Sequence, residues 1–340
     1  MDIGAGTQDI YLYDPGRPPE NSLQLILPSP VAMAAERARE ATRRHQDIFL
    51  TGGVMGGWPL TAAVKEHLRA GLRVYSTSKA AMTIHDDLRV VKDYGVILSE
   101  DPPPDAEVIV CQDLDLERLS AALALYGVSL PQRVAVAVQD HGQSIGVSNR
   151  DTRGRHWGSF IEAGGLLRGL AYLEDIPACF TRMLAVREQA PTAVLMDTGP
   201  AAVIGALLDP RVREWADDGV VVLNVGNGHT FGALVRGNQM WGLFEEHTAS
   251  LTTDELATYV TEFREGRLSH ERIYARGGHG CFYHPSYRPN GGFRFVALIG
   301  PNRRLADGLG YYPAAPFGDV MLAGCFGLLA AIGALTEPCR

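Results

Sequence analysis

The sequence contains few cysteines, and their spacing excludes the common cysteine-based metal sites. Five cysteines are scattered through the 340 residues, namely Cys111, Cys179, Cys281, Cys325 and Cys339. No Cys-x-x-Cys pair occurs, which excludes a zinc ribbon or a thioredoxin-type redox motif. No Cys-x-x-x-Cys-x-x-Cys run occurs either, so a radical iron–sulfur cluster of that type has no ligands here. An odd and scattered set is typical of reduced thiols, and we expect a cytoplasmic protein.

Basic runs and membrane-spanning runs are also missing. The formal net charge is −8 and no stripe of Lys and Arg is visible, so we expect neither nucleic acid nor an anionic membrane as a partner. No charged segment followed by an apolar one stands at the N-terminus, and no signal peptide is expected. The apolar run "VMLAGCFGLLAAIGAL" is shorter than the roughly 20 residues of a membrane span and predicts a buried helix.

Apolar residues follow strand-like and helix-like spacing in alternation along the chain. Helices are predicted at 31–45, 59–71 and 200–210, and short strands lie between them. Strands interleaved with helices predict an α/β fold, and the length is that of about two domains. The segments 101–105 and 285–292 are typical of exposed loops.

Two segments share one glycine pattern. "DIGAGTQDIYLYD" begins at Asp2 and "NVGNGHTFGALVR" begins at Asn224. Each has a polar residue, an apolar residue, Gly-small-Gly and a polar residue that leads into an apolar strand. Glycine turns let backbone N–H groups converge on an anion, so two such hairpins could hold a polyphosphate between two similar domains. The alternative is a pair of ordinary hairpins.

The two hairpins supply most of the candidate binding residues. Asp2 is the candidate for holding the water shell of Mg²⁺. Asp9 could orient a lytic water or only cap its own turn. The other candidates for phosphate contact are Gly4, Gly6, Thr7, Gln8, Gly226, Asn227, Gly228, His229 and Thr230.

Polar residues also end two predicted strands, at 139–141 and 197–198. Ligands of open α/β sheets bind at the carboxyl ends of strands, and a carboxylate beside an imidazole suits general-base work. Asp140 and His141 are therefore candidate catalytic residues. Asp197 is a second candidate base or Mg²⁺-water ligand, and the alternative is that it caps the following helix.

Two other stretches have open interpretations. "GGHGCFYHP" places His279, Cys281 and His284 at a spacing that could hold a metal, and the alternative is a flexible substrate loop. "TGGVMGGWP" at 51–59 is either a turn that lines a ligand or a tight connection between a strand and a helix.

The hairpin "DIGAGTQDI" resembles the first phosphate loop of the superfamily of actin, sugar kinases and heat-shock-chaperone ATPases, although it begins without the usual apolar half-strand. "NVGNGHTFGALV" stands where that superfamily has its second loop. "DTGPAAVIGALLDP" resembles the segment whose helix crosses between the two domains, and "VAVAVQDHG" resembles a sugar-kinase strand beside the substrate. "FVALIGPNRRLADG" falls where the superfamily has its adenosine motif, which makes Gly300 a further candidate for nucleotide binding.

The resemblance implies two actin-like (ribonuclease H-like) α/β domains that face each other across a nucleotide cleft. The first would comprise residues 1–198 and the second 218–315, with a crossing helix and linker at 199–217 and a second crossing helix and tail at 316–340. ATP and Mg²⁺ are the implied cofactors, and a small molecule is the implied substrate.

The chain as a whole also resembles an uncharacterised prokaryotic family in this superfamily, which carries "VAVQDHG", "NVGNGHT" and "GCFGLL". That family is often labelled as a pyruvate formate-lyase activating enzyme, a radical chemistry for which this sequence lacks the cysteines.

We therefore expect Mg-ATP-dependent phosphotransfer to a small molecule, or ATP hydrolysis. Asn224 replaces the Asp of many relatives, and Pro200 and Ala201 stand where sugar kinases have their catalytic Asp. The alternatives are a nucleotide-gated binding or regulatory protein without kinase turnover, and a protein that binds another small ligand. Whether the chain forms a homodimer is left open.

Overall fold

Strands and helices alternate along the chain, as the apolar spacing predicts. The computed structural model describes residues 1–144 and 146–335. The strands are β1 Asp2–Ile3, β2 Thr7–Leu12, β3 Leu23–Pro28, β4 Ile48–Gly52, β5 Val74–Ser76, β6 Val96–Leu98, β7 Glu107–Cys111, β8 Ala135–Val138, β9 Val194–Met196, β10 Val220–Val225, β11 His229–Arg236, β12 Gln239–His247, β13 Gly280–Tyr283, β14 Phe295–Ile299 and β15 Tyr312–Pro313. The helices are α1 Pro30–Arg43, α2 Trp58–Arg69, α3 Ser78–Ala81, α4 Leu88–Asp93, α5 Leu116–Ala124, α6 Asn149–Glu162, α7 Thr181–Gln189, α8 Thr198–Ala206, α9 Pro210–Arg213, α10 Thr253–Arg264, α11 His270–Ala275 and α12 Ala323–Ala331.

Local sequence signals account for the bounds of the helices. The hydroxyl of Ser29 accepts a hydrogen bond from the backbone N–H of Ala32, and Pro30 occupies the first position of α1. The buried face of α1 consists of small residues at helical spacing, namely Val31, Ala34, Ala35, Ala38 and Ala41. Helix α1 confirms the helix predicted at 31–45, and α2 confirms that at 59–71.

Two of the three sheets share the order of five strands, and one of them has β13 as an additional edge strand. The first sheet has the order β3-β2-β1-β8-β9, in which β1 to β3 are antiparallel and β8 and β9 run parallel to β1. The third sheet has the order β13-β12-β11-β10-β14-β15, in which β10 to β12 are antiparallel and β14 and β15 run parallel to β10. Strand β10 therefore takes the place of β1. The repeated glycine pattern of the sequence corresponds to a repeated sheet topology.

The second sheet is an insertion between β3 and β8, two strands of the first sheet. Its four strands are parallel in the order β6-β5-β4-β7, and in the sequence they lie between α1 and β8. Helices α1 and α2 pack against each other, and their buried residues join those of the sheet in one apolar cluster. The sequence predicts strands here but not a separate sheet.

Helices α8 and α12 cross between the first and third sheets. Helix α12 contacts β2 and β8, and α8 contacts β10 and β14. A Cβ atom on Gly205 would lie 1.8 Å from the carbonyl oxygen of Ala323, and one on Gly327 would lie 1.8 Å from that of Ala201. The two backbones therefore touch, and only glycine fits at these two positions.

The apolar run near the C-terminus forms the buried helix α12, as predicted. Its nine residues end at Ala331. Within residues 1–144 and 146–335, no helix combines the length and the apolar character that crossing a bilayer requires.

Candidate functional site

Both glycine turns line one cavity of about 780 Å³. The turn between β1 and β2 contributes Gly4 and Ala5, and the turn between β10 and β11 contributes Gly226, Asn227 and Gly228. The two turns are close to each other, because a Cβ atom on Gly6 would lie 2.5 Å from Nδ2 of Asn227. The repeated topology thus brings the two copies of the pattern to the same cavity.

Most of the residues predicted from the sequence lie at this cavity. Those that line it are Asp2, Gly4, Thr7, Asp9, Asp140, His141, Gly226, Asn227, Gly228, His229 and Gly300. Gly6, Gln8, Thr230 and Asp197 do not line it. The amide of Gln8 donates to the carbonyl of Pro28, and the hydroxyl of Thr230 is paired with that of Thr248.

The carboxylates of the first hairpin form a close acidic pair. Asp2 and Asp9 are directly opposite partners of β1 and β2, so both side chains point to the same face. Oδ1 of each is buried and has no hydrogen-bond partner within the described residues. Burial, reinforced by the negative charge of Asp9, raises the pKa of Asp2 to about 8, and burial raises the pKa of Asp9 to about 6. Asp2 therefore retains its proton near neutrality unless a cation compensates the charge of the pair, whereas Asp9 is largely ionised there.

Helix α12 begins beside this acidic pair. A Cβ atom on Gly324 would lie 1.9 Å from Oδ2 of Asp2, so the carboxylate rests directly on the first turn of the helix. Gly324 also lines the cavity. Only a residue without a side chain leaves room there for the acid.

The carboxylate of Asp140 is held by two backbone groups. Oδ1 accepts from the N–H of Gly142 at 2.9 Å, and Oδ2 accepts from the N–H of Met183 at 2.9 Å in the first turn of α7. Burial nevertheless raises its pKa to about 6. These contacts fix the turn that carries His141.

Asp197 belongs to a buried ion network. Its Oδ1 accepts from the N–H of Gly199, which confirms the alternative that it caps α8. Arg153, which is 2% exposed, donates to both of its carboxylate oxygens, at 2.9 and 3.2 Å. Both oxygens of Asp197 are therefore engaged.

Glu245 completes that network on the other side of Arg153. Oε1 of Glu245 accepts from Arg153 at 2.8 Å and from Gln139 at 2.8 Å. Oε2 accepts from Nε of Arg153 at 2.5 Å and from the indole N–H of Trp157 at 3.1 Å. The positive charge of Arg153 holds the pKa of the buried Glu245 well below its ordinary value, against the effect of burial. One guanidinium thus links the first sheet, α6 and the third sheet.

A second arginine fixes the strand end at Gln139. Arg182 of α7 donates to both carboxylate oxygens of the buried Asp113, at 2.7 and 2.8 Å, and to the carbonyl of Gln139 at 2.8 Å. Arg182 lines the cavity. Bidentate pairing of this kind holds the guanidinium in one orientation.

Three histidines from distant parts of the sequence meet at the cavity. One ring nitrogen each of His141, His229 and His279 lies within 4.8 Å of those of the other two. Nε2 of His229 and Nε2 of His279 are 3.2 Å apart. Burial lowers the pKa of His229 to about 4, that of His279 to about 3, and that of His141 well below its ordinary value. All three rings are therefore neutral at pH 7, the form that binds metal ions.

The pattern His279, Cys281, His284 does not form a cluster of its own. Cys281 is buried in the apolar core of the third sheet, and burial raises the pKa of its thiol. The ring of His284 packs on Trp241. Of the three residues, only His279 joins the histidine group at the cavity.

The inserted sheet forms another wall of the cavity. Residues 54–57, between β4 and α2, and the first two residues of α2, Trp58 and Pro59, line it together with residues 82–86. The indole of Trp58 is 77% exposed at this wall. The stretch at 51–59 is therefore both a strand-to-helix connection and part of the cavity lining.

A model of the family described as "Putative pyruvate format-lyase activating enzyme (DUF1786)" matches residues 55–305. The chain belongs to this family. The match includes the second glycine turn and the three histidines. No curated protein matches the sequence.

The cysteines of this DUF1786 chain do not come together in the described residues. Cys111, Cys179, Cys281 and Cys325 belong to four different apolar clusters. Cys339 lies outside the described residues. The iron–sulfur chemistry that the family description suggests therefore has no cysteine ligand set within residues 1–144 and 146–335.

Sequence reasoning missed Arg153, the buried cation that organises the site of this DUF1786 member. Arg153 lies in α6, whose other residues are largely polar, and its partners are 44 and 92 positions away. The one local signal is "FEEH", where two adjacent acids end an otherwise apolar strand. A buried acid in such a strand requires a cation, but the sequence does not say which arginine provides it.

Proposed function

We propose that the protein binds Mg·ATP between its two glycine turns and uses it for phosphoryl transfer to a small molecule or for hydrolysis. The observation that carries this proposal is the meeting of both turns at one cavity, with Gly6 against Asn227. The repeated strand order and the crossing helices α8 and α12 are those expected of two actin-like domains, which adds support from the fold.

The free backbone donors of the two turns suit an anion. Within the described residues, the N–H groups of Ala5, Gly6, Asn227 and Gly228 donate to no protein acceptor. Successive N–H groups in a glycine turn form a concave site for phosphate oxygens, because no side chain obstructs the approach. Four such donors, two from each turn, could hold a triphosphate from both sides.

Asp2 and Asp9 are the residues that would hold Mg²⁺. Each has a buried carboxylate oxygen without a partner in the described part of the chain, and the pair carries raised pKa values. Magnesium is bound in nucleotide sites by one or two carboxylates together with phosphate oxygens and waters. The ion would supply charge neutralisation at the phosphates. The chain itself would hold the ion in position through the hairpin and the N-terminal turn of α12.

His141 is the candidate for orienting the attacking oxygen. It lines the cavity at the end of β8, on a turn fixed by Asp140 and Arg153. Asp140 and Asp197, the other two residues predicted for this role, have their carboxylate oxygens engaged by the backbone and by Arg153. In this proposal they position the site, and catalysis depends chiefly on orientation and charge neutralisation.

Calorimetric titration with ATP and Mg²⁺ tests the nucleotide site. A Cβ atom on Gly228 meets nothing within 4 Å, so Gly228→Val should fold normally while its side chain obstructs the second turn. We expect measurable binding by the unaltered chain and at least tenfold weaker binding by this variant. Gly169→Val is the matched control, since Gly169 also has open space around it and does not line the cavity. Absence of binding at millimolar ATP would overturn the proposal.

The second candidate function is a nucleotide-gated binding protein without phosphotransfer. It is favoured by the engagement of Asp140 and Asp197, since neither carboxylate is free to act as a base. Small-angle scattering with and without Mg·ATP, combined with an assay of ADP release, separates the two functions. A nucleotide-dependent change of shape with negligible ADP release would favour the regulatory function, and sustained turnover with a small acceptor would reject it.

A further inference from the structure

We propose that His141, His229 and His279 form a binding site for a divalent transition-metal ion of the zinc class, with one coordination position open to the cavity. This site is separate from the acidic pair of the first hairpin. The proposal does not depend on nucleotide binding.

The spacing of the ring nitrogens fits one ion. Two nitrogens bound to a tetrahedral zinc ion, at about 2.0–2.1 Å each, lie about 3.3 Å apart. The two Nε2 atoms of His229 and His279 are 3.2 Å apart, and a ring nitrogen of His141 lies within 4.8 Å of one ring nitrogen of each. A shared proton could join only two of these rings, whereas an ion joins all three after a small movement of His141.

Three different segments hold the ligands in place. His141 follows β8 of the first sheet, while His229 begins β11 and His279 directly precedes β13 of the third sheet. The backbone N–H of His279 donates to the carbonyl of Glu245 at 2.8 Å, which fixes it beside β12. The cluster therefore joins the first and third sheets, and a bound ion would tie them together.

The surrounding charges favour a cation. The buried network next to the histidines contains two carboxylates, Asp197 and Glu245, around the single guanidinium of Arg153. Its formal charge is one negative unit, and the three imidazoles are uncharged when they act as ligands. The oxygens of Glu245 are fully occupied by hydrogen bonds, so it would act as a counter-charge and not as a ligand.

The number of ligands indicates a reactive site. Structural zinc sites have four protein ligands, whereas catalytic sites have three and keep one position for water or substrate. His141 and His229 line the cavity, so the remaining position would face it. The ligand class expected there is a water, a hydroxyl group or a carboxylate oxygen of the small molecule that occupies the cavity.

The test uses tag-free full-length protein, without nucleotide. After removal of metal with a chelator and dialysis, Co²⁺ is added and its visible absorption is followed, and zinc is counted by elemental analysis. We expect about one ion per chain, and X-ray absorption should detect three imidazole ligands. Replacing a residue that only hydrogen-bonds to a metal ligand costs about 10–100-fold in metal affinity. Replacing a ligand itself should cost at least as much, so we expect at least tenfold weaker metal binding by each of His141→Gln, His229→Gln and His279→Gln.

One histidine variant serves as the control. His85 lines the same cavity but lies outside the group, so His85→Gln should bind metal like the unaltered chain. Thermal unfolding checks that each variant folds. If His279→Gln does not fold, the variants at the half-buried His141 and His229 still test the site. Binding well below one ion per chain at excess Co²⁺ would overturn the proposal, as would equal affinity in the His141→Gln and His229→Gln variants. Because nucleotide is absent, this result is independent of the ATP titration.

Discussion

Asp2 and Asp9 lie directly opposite each other across the first hairpin, and each has a buried carboxylate oxygen without a partner in the described residues. Two acids in such a place destabilise the metal-free protein when both are ionised. The same arrangement suits a cation, so we expect the pair to respond to pH and, under the proposed function, to magnesium.

Stability without metal should fall as the pH rises towards 8. Burial and Asp9 raise the pKa of Asp2 from 3.8 to about 8, so the folded chain holds a proton that the unfolded chain has already released. The corresponding stability is complete below pH 4 and is lost as the pH rises to about 8. Asp2→Asn removes this contribution. Thermal unfolding is measured in EDTA between about pH 5 and pH 8.5. Over this range the Tm of the unaltered chain should decrease more than that of the variant, and the difference between the two decreases should be about 2 °C or more. Equal slopes would contradict the raised pKa.

Removal of the second acid should weaken the magnesium dependence of nucleotide binding. In Asp9→Asn one carboxylate of the acidic pair is lost, and we expect the gain in ATP affinity on addition of Mg²⁺ to fall by about tenfold, or 1.4 kcal/mol. Calorimetry with and without Mg²⁺ measures this gain. Asp93→Asn, an exposed residue of α4, should keep the full gain.

Loss of the buried guanidinium should be costly. Arg153→Met leaves Glu245 and Asp197 buried without their cation, and breaking a buried pair in this way costs about 3–5 kcal/mol. Unfolding by urea gives the difference from the unaltered chain. The exposed pair of Arg211 and Glu214 is the control, since Arg211→Met should cost about 1 kcal/mol or less. Similar losses in the two variants would show that the buried network contributes little.

A side chain at the helix crossing should disrupt the packing of α8 and α12. A Cβ atom on Gly327 would overlap the carbonyl of Ala201, so Gly327→Leu should lower Tm strongly or prevent folding. Overpacking of a core costs about 1–3 kcal/mol even where the backbone can adjust. Gly169→Leu, at an exposed position with open space around it, should unfold like the unaltered chain. Circular dichroism during heating separates the outcomes.

Local signals in the sequence predicted the elements better than the way they assemble. The hairpins, α8 and α12 were predicted because glycines, prolines and apolar runs mark them within a few residues. The inserted sheet was not, since short buried strands have similar sequences whichever sheet they join.

The histidine group was missed for a related reason. His141, His229 and His279 are far apart in the sequence, and the local pattern directed attention to Cys281 instead. Gly280, the first residue of β13, has a φ of 106°, so the backbone departs from extended strand geometry between His279 and Cys281. The strand alternation that would place His279 and Cys281 on one face therefore does not apply. Contacts that depend on such a turn and on the pairing of distant strands carry no local signal.

The inserted sheet has a consequence for how this family could diversify. The insertion begins after α1 and ends before β8. It places Trp58 and residues 82–86 at the cavity wall. Mutations there can reshape the cavity, which under the proposed function admits a small molecule, while both glycine turns and the histidines keep their places. Relatives that differ mainly in this insertion should accept different molecules while they share the same chemistry.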